Sequence, residues 1–385
     1  MRLGTVLRQL LGRNSRATPR PSAFRPTLEV LEDRCVPSNN TATYHVTNLV
    51  SDQPGVALIH DTNLVNGWGI SLSPTGGAFW VSANETGKST LYRGDVNGST
   101  FARVALVVDI PNGLPTGQVF NGTSDFVIGA SGPAAFIFAS QEGEISAWNG
   151  PQGTTAQVMA SVDGAVYTGL ANGSVGTSNF LYAANFASNS IDVFDKDFAL
   201  QSSTTFSFSD PTIPKSYAPF NIQNLGGKLY VTYAQQSHKN PGEKTGHGAG
   251  FVDVFDTSGQ LLQRLVRGNH LKSPWGVAIA PSDFGTFSNA LLVGNTGNGK
   301  INAFDIDTGK FLGTLQDETG KPIVIDGLWG ISFGNGVSAG DKNALYFAAG
   351  PDDGTHGLFG SIRFASDSAD LDDGAVKKHS PRRAD

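Results

Sequence analysis

The residues able to do chemistry in this 385-residue chain gather in a few polar stretches. His238 and His247 share a long Gly- and Lys-bearing stretch at 235–249, and His356 follows Asp352 and Asp353. His60 stands beside Asp61, and His270 lies in another connection between apolar runs. Neutral imidazoles and carboxylates are the groups that hold a divalent ion or accept a proton near neutral pH. The same residue types also serve as plain turn formers, and no H-x-x-x-H, H-E-x-x-H or C-x-x-C spacing chooses between the two readings. Asn84, Asn185 and Asn295 recur at one place in a repeated pattern. They either offer oxygens to an ion such as Ca²⁺ or close hairpin loops. Trp68, Trp275 and Trp329 recur likewise, to stack on a ring-shaped ligand or to pack between structural units. The run Gly294-Asn295-Thr296-Gly297-Asn298-Gly299 lacks the Lys-Ser/Thr of a phosphate loop.

These residues sit on a repeat. Leu181-Tyr182-Ala183-Ala184-Asn185 followed by Ile191-Asp192-Val193-Phe194-Asp195 returns as Leu291-Leu292-Val293-Gly294-Asn295 with Ile301-Asn302-Ala303-Phe304-Asp305. It returns again as Leu229-Tyr230-Val231-Thr232-Tyr233 with Phe251-Val252-Asp253-Val254-Phe255-Asp256. Weaker copies begin at Phe79, Phe136 and Leu345, making six. Each pair follows a short apolar strand: Trp68-Gly69-Ile70, Phe126-Val127-Ile128, Thr168-Gly169-Leu170, Phe220-Asn221-Ile222, Trp275-Gly276-Val277 and Trp329-Gly330-Ile331. A period near ~50 residues with alternating apolar positions is that of a propeller blade, whereas stacked helical repeats would show a 3.6-residue period. The last repeat lacks a fourth strand, and residues 44–50 precede the first blade without a repeat of their own. The expectation is an all-β, six-bladed β-propeller of four-stranded blades over residues 41–366, its ring closed by the N-terminal strand.

Composition agrees. Glycine numbers 48, phenylalanine 24 and methionine 2, and charged residues make up 16%, which suits strands and turns rather than helices. A net charge of −6 disfavours nucleic acid as a partner. No run reaches the ~18 apolar residues of a membrane helix. A closed ring hides its own strand edges and is expected as a monomer.

The ends differ from the middle. Residues 1–40 hold seven arginines, no lysine and three acids, and include the one cysteine, Cys35. Residues 367–385 mix acids with a basic cluster and are expected to be a flexible tail. Within the first segment, Leu28-Glu29-Val30-Leu31-Glu32-Asp33-Arg34 resembles a leader found ahead of many exported and cell-surface bacterial proteins. That resemblance implies export, leaving a cysteine-free mature domain without disulfides or a thiol nucleophile.

The pattern from Leu181 to Asp195 resembles an NHL-type propeller repeat, and 69–81 resembles streptogramin-lyase-like and lactonase-like propellers. Taken together, Asn66-Gly67-Trp68-Gly69, residues 246–256, Ser273-Pro274-Trp275-Gly276 and residues 350–360 resemble an uncharacterised family of exported bacterial six-bladed propellers. Lactonases of the regucalcin type place a glutamate where this chain has Asn66-Gly67. The expectation is a binding propeller whose top-face loops take a small molecule, glycan or protein through His60, Asp61, His238, His247, His270, Asp352, Asp353 and His356. The alternatives are a metal-assisted hydrolase or lyase acting on a small lactone or cyclic ester, with a divalent ion such as Ca²⁺, and a structural protein of the cell envelope.

Overall fold

The computed structural model describes residues 43–236 and 249–365. Among them the strands form six antiparallel sheets, each following the last in the chain. Blade one comprises Gly67–Ser71, Phe79–Ala83, Lys88–Arg93 and Ala102–Asp109; blade two comprises Pro115–Phe120, Phe136–Ser140, Glu144–Trp148 and Gln157–Ser161. Blade three holds Tyr167–Val175, Ser178–Asn185 and Ser190–Phe194, its fourth strand reduced to a single bridge from Phe194 to Leu200. Blade four comprises Tyr217–Leu225, Lys228–Gln235, Gly250–Phe255 and Leu261–Gly268. Blade five comprises Pro274–Ile279, Leu291–Asn295, Ile301–Phe304 and Phe311–Thr314.

Blade six takes Leu328–Phe333, Leu345–Ala349 and Leu358–Ala365 from the end of the described chain and its outer strand, Thr43–Ser51, from the beginning. The pairing is antiparallel, Thr43 opposite Ala365 and Ser51 opposite Leu358. The ring therefore closes as the repeat arithmetic requires. A short fifth strand, Ile59–His60, adds in parallel at Val50 and Ser51.

One strand lies elsewhere than the sequence pattern places it. The inner strand of blade two is Pro115–Phe120, not Phe126-Val127-Ile128. The inner strands crowd around an axis, so what marks them is a residue without bulk. A Cβ on Gly69 would lie 2.5 Å from the Thr116 carbonyl oxygen of the next blade, and one on Gly117 would run into Gly169 and Leu170 of the blade after. Phe126 and Ile128 instead drop from a connecting loop into the core between blades two and three, leaving Val127 exposed. In blade four the place of the glycine is held by Asn221, whose Nδ2 donates to the Trp275 carbonyl at 2.8 Å.

No blade has a core of its own. Six apolar clusters lie between neighbouring blades, one at each junction. A seventh, containing Trp68, Phe186, Phe220, Trp275 and Trp329, lies on the axis.

Candidate functional site

The axis, where a propeller offers its channel, is filled. Trp68 and Trp329 stack with ring centroids 3.5 Å apart, and Trp275 stands edge-on to both at 6.1 Å. Phe220 and Phe186 extend the packing toward blades three and four. None of the three tryptophans is more than 8% exposed, so their rings touch one another and present no open stacking face. Trp275 Nε1 donates to the Thr168 carbonyl across the axis and Trp329 Nε1 to Asn66 Oδ1, whereas Trp68 Nε1 is buried without a partner among the described residues. Next to this plug the channel narrows to a cavity of about 20 Å³, lined by Gly69, Gly117, Asn221 and Gly330 among others.

The recurrent asparagines stand around the same end and spend their side chains on the fold. Asn185 Oδ1 accepts from the Val166 and Ser188 amides, and Asn295 Oδ1 accepts from the Lys272 amide. Asn84 Oδ1 accepts from Asn66 Nδ2, and its own Nδ2 donates to Pro115 O and Gln141 Oε1. Each asparagine fastens the end of a second strand to a neighbouring backbone or side chain. Their oxygens are thereby committed to N–H donors, which supports hairpin closure over ion coordination.

The histidines divide. His238 and His247 lie outside the described residues. His270 is exposed, its ring stacked on Phe311 with centroids 3.7 Å apart, while its carbonyl accepts from Asn295 and Asn302. His60 and His356 meet at one residue that the sequence pattern does not mark, Asp52. His356 Nδ1 donates to Asp52 Oδ2 at 2.9 Å, and His60 Nε2 donates to the Asp52 carbonyl at 2.8 Å. The other Asp52 oxygen accepts from the Gly357 amide at 2.8 Å. Asp352 and Asp353 both adopt positive φ in the exposed turn before His356. The Asp352 amide donates to Asp326 Oδ2, and its carboxylate lies 4.0 Å from His356 Nε2. With Nδ1 held by Asp52, His356 has Nε2 on the side of Asp352, the side chain part-exposed on the rim of blade six. The sequence pattern does not mark Asp52 because it follows a strand supplied from the other end of the chain; only the register Ser51 opposite Leu358 brings it to His356.

Asp61 is placed differently, buried between blades six and one. Its carboxylate accepts from Tyr92 Oη and Arg103 Nη1, each at 3.1 Å, and from the Asn63 amide. Those donors account for a buried carboxylate without a ligand. Among the described residues no group of three or more His, Cys, Asp or Glu side chains is arranged to hold a metal ion.

A second titratable cluster lies between blades three and four. Arg264 pairs with Asp210 and, at 3.4 Å, with Asp253, both carboxylates being almost wholly buried. Burial and the nearby Asp210 carboxylate push Asp253 up to about 7 despite the Arg264 charge, and Asp253 Oδ2 has no hydrogen-bond partner among the described residues. Burial also works against Asp210, but the Thr212 amide and hydroxyl and the Arg264 guanidinium hold it below the usual range. Burial and then the Asp253 charge raise Tyr233 well above its ordinary value. A groove of about 420 Å³ opens beside Asp210 and Tyr233, where blade three lacks a full outer strand.

The chain belongs to the same family as two uncharacterised proteins of Acanthamoeba polyphaga mimivirus. It is 31% identical over 340 residues to "Uncharacterized protein R648", covering 85% of this chain and 82% of the relative. It is 32% identical over 343 residues to "Uncharacterized protein L690", covering 85% and 87%. No family model matches. Among solved structures, a gluconolactonase from Xanthomonas campestris aligns over 79% of this chain and 87% of its own at 12% identity, with a TM-score of 0.46. Hydrazine synthase of Kuenenia stuttgartiensis aligns over 75% of each chain at 14% identity, with a TM-score of 0.42. The propeller assignment rests on the strand order of this chain itself.

Proposed function

We propose that the protein is an exported binding propeller that engages a small molecule, glycan or protein through the upper rim of blade six, with His356 as the central contact. One observation carries this reading: the axis is closed by tryptophans, while His356, oriented by Asp52 and with Nε2 4.0 Å from the exposed Asp352 carboxylate, stands part-exposed at the rim. Long loops on a rigid scaffold are where binding groups concentrate. The export half of the reading rests on the Leu28–Arg34 pattern alone.

The test is an array of glycans and small molecules, lactones included, probed with the full chain and with His356→Ala and Asp52→Asn. A ligand held by the wild-type chain and bound about tenfold or more weakly by His356→Ala is the expected result, from the loss of one charge-assisted contact. Equal binding by both variants would move the site off this rim. Native mass spectrometry before and after a chelator addresses the hydrolase alternative: a divalent ion bound one per chain, together with turnover of a lactone, would replace the binding reading.

A further inference from the structure

A groove of about 670 Å³ separates blade five from the outer strand of blade six, within the ~300–1,000 Å³ typical of ligand sites. Its floor is apolar, with Phe347, Ile323 and Ile325 buried and Leu358 half-buried. One wall is the outer edge of Thr43–Ser51. The Tyr44 amide points outward to the Gln316 carbonyl at 2.8 Å, and the Asn48 carbonyl points outward to the Leu58 amide at 3.3 Å. Outward-facing backbone groups recur every second residue along a strand. Val46, midway between, therefore turns its amide and carbonyl into the groove it lines, and no hydrogen bond satisfies them among the described residues.

The opposite wall is the stretch Pro322–Asp326 leading from blade five to blade six. The Ile323 amide donates to Leu315 O and the Ile325 amide to Gly299 O, both toward blade five. Val324 between them lines the groove and leaves its side chain 60% exposed. The one-residue opening at Val46 thus faces an apolar slot, bounded at its two ends by the hydrogen bonds of Tyr44 and Asn48.

The rim charge is mostly negative. Asp317, Glu318 and Asp326 line the groove against one lysine, Lys321, and His45 donates from Nδ1 to Glu318 at 3.1 Å. We infer that this groove takes an extended peptide of apolar character bearing basic residues, one residue of which pairs its backbone with Val46. The apolar floor and acidic rim supply most of the affinity, and the single backbone pair fixes how the peptide lies. The inference goes beyond the blade-six rim reading and uses different residues, so either can fail alone.

The experiment measures binding of a labelled, end-blocked hexapeptide of alternating lysine and valine to the full chain by fluorescence anisotropy at low ionic strength. N-methyl groups are then placed on each backbone nitrogen in turn. The expected result is saturable binding that weakens about three- to tenfold at no more than two of the backbone nitrogens, those able to face Val46, and is little changed at the rest. A glutamate-for-lysine peptide should bind more weakly still. Val324→Lys, an exposed change that leaves the core untouched, should weaken binding of the lysine peptide through repulsion. Absence of saturable binding, N-methyl effects felt at every nitrogen or at none, or indifference to Val324→Lys would each overturn the inference.

Discussion

At the scale of single residues, the most informative group is a carboxylate that the fold holds in its uncomfortable form. Asp253 lies against Asp210, Arg264 and Tyr233, with one guanidinium shared by two acids. Its raised value of about 7 means that the folded chain keeps a proton that the unfolded chain gives up near ~4. Between those limits the native state binds more protons than the unfolded state, so this residue's contribution to stability falls as pH rises from about 4 to about 7 and then levels off. Asp210, held low, works in the opposite sense and only at more acid pH. The prediction is that Asp253→Asn, an analogue of the protonated acid, removes a slope of up to ~1.4 kcal/mol per pH unit from denaturant unfolding between pH 4 and 7. The variant should be at least as stable as the wild-type chain at pH 8; an unchanged slope would show that Asp253 does not hold that proton. Neither Asp253 nor Asp52 stood out in the sequence, and for a shared reason. Asp192 and Asp253 occupy the same place in two copies of the repeat, so spacing marks them as alternating strand positions. Only the packing of Arg264 and the segment around Asp210 makes Asp253 special, and only ring closure brings Asp52 to His356.

At the scale of the element, the inner strand shows why the fold was legible and where the legibility ended. Period-two alternation and recurring Asn or Gly at strand ends gave the number of blades, because those features follow from local geometry. The inner strand of blade two was misplaced because Phe126-Val127-Ile128 matches a strand in residue type, whereas Pro115–Phe120 matches in clearance. Clearance is set by the neighbouring blade and is invisible to local propensity. The consequence is a sharp contrast between glycines. Gly276 would bring a Cβ within 2.6 Å of the Trp329 carbonyl oxygen, so Gly276→Ala must push two inner strands apart. Gly150, at the start of a short 3₁₀ turn in blade two, has open space around the same position. Gly276→Ala should cost about 1–3 kcal/mol, the range for overpacking, and Gly150→Ala should stay within ~0.5 kcal/mol of the parent. Chemical denaturation of the two variants side by side checks this, and equal stabilities would mean that the inner ring yields more readily than its contacts imply.

At the scale of the whole molecule, stability is a property of the ring, because every apolar cluster is shared between blades. Each junction therefore depends on its two neighbours being in place, and the junction made last in the circuit depends on residues from both ends of the described chain. Tyr44 is its keystone. The side chain is fully buried, its ring lies against Phe284, Phe287 and Phe364, and its hydroxyl donates to the Phe284 carbonyl at 2.9 Å. Burial pushes the phenol up to about 12, the opposing effect of the Phe287 backbone being smaller. Two substitutions separate the packing from the hydroxyl. Tyr44→Phe removes one buried donor and leaves the Phe284 carbonyl short of a partner, at a cost of about 1–2 kcal/mol. Tyr44→Ala empties the seam between blades five and six and should cost about 3–5 kcal/mol, a large share of the ~5–15 kcal/mol that holds a domain together. If the ring folds as one unit, Tyr44→Ala lowers the single unfolding transition as a whole, measured alike by tryptophan fluorescence at the axis and by circular dichroism of the strands. If blade six can detach from a ring that stays otherwise intact, the Trp68–Trp329 stack breaks with it, and the fluorescence change begins before most of the circular dichroism signal is lost. The cores shared at every junction and the axial contact of Trp329 in blade six with Trp68 in blade one both predict the first outcome, since loosening one blade withdraws a wall from its neighbour and a ring from the plug.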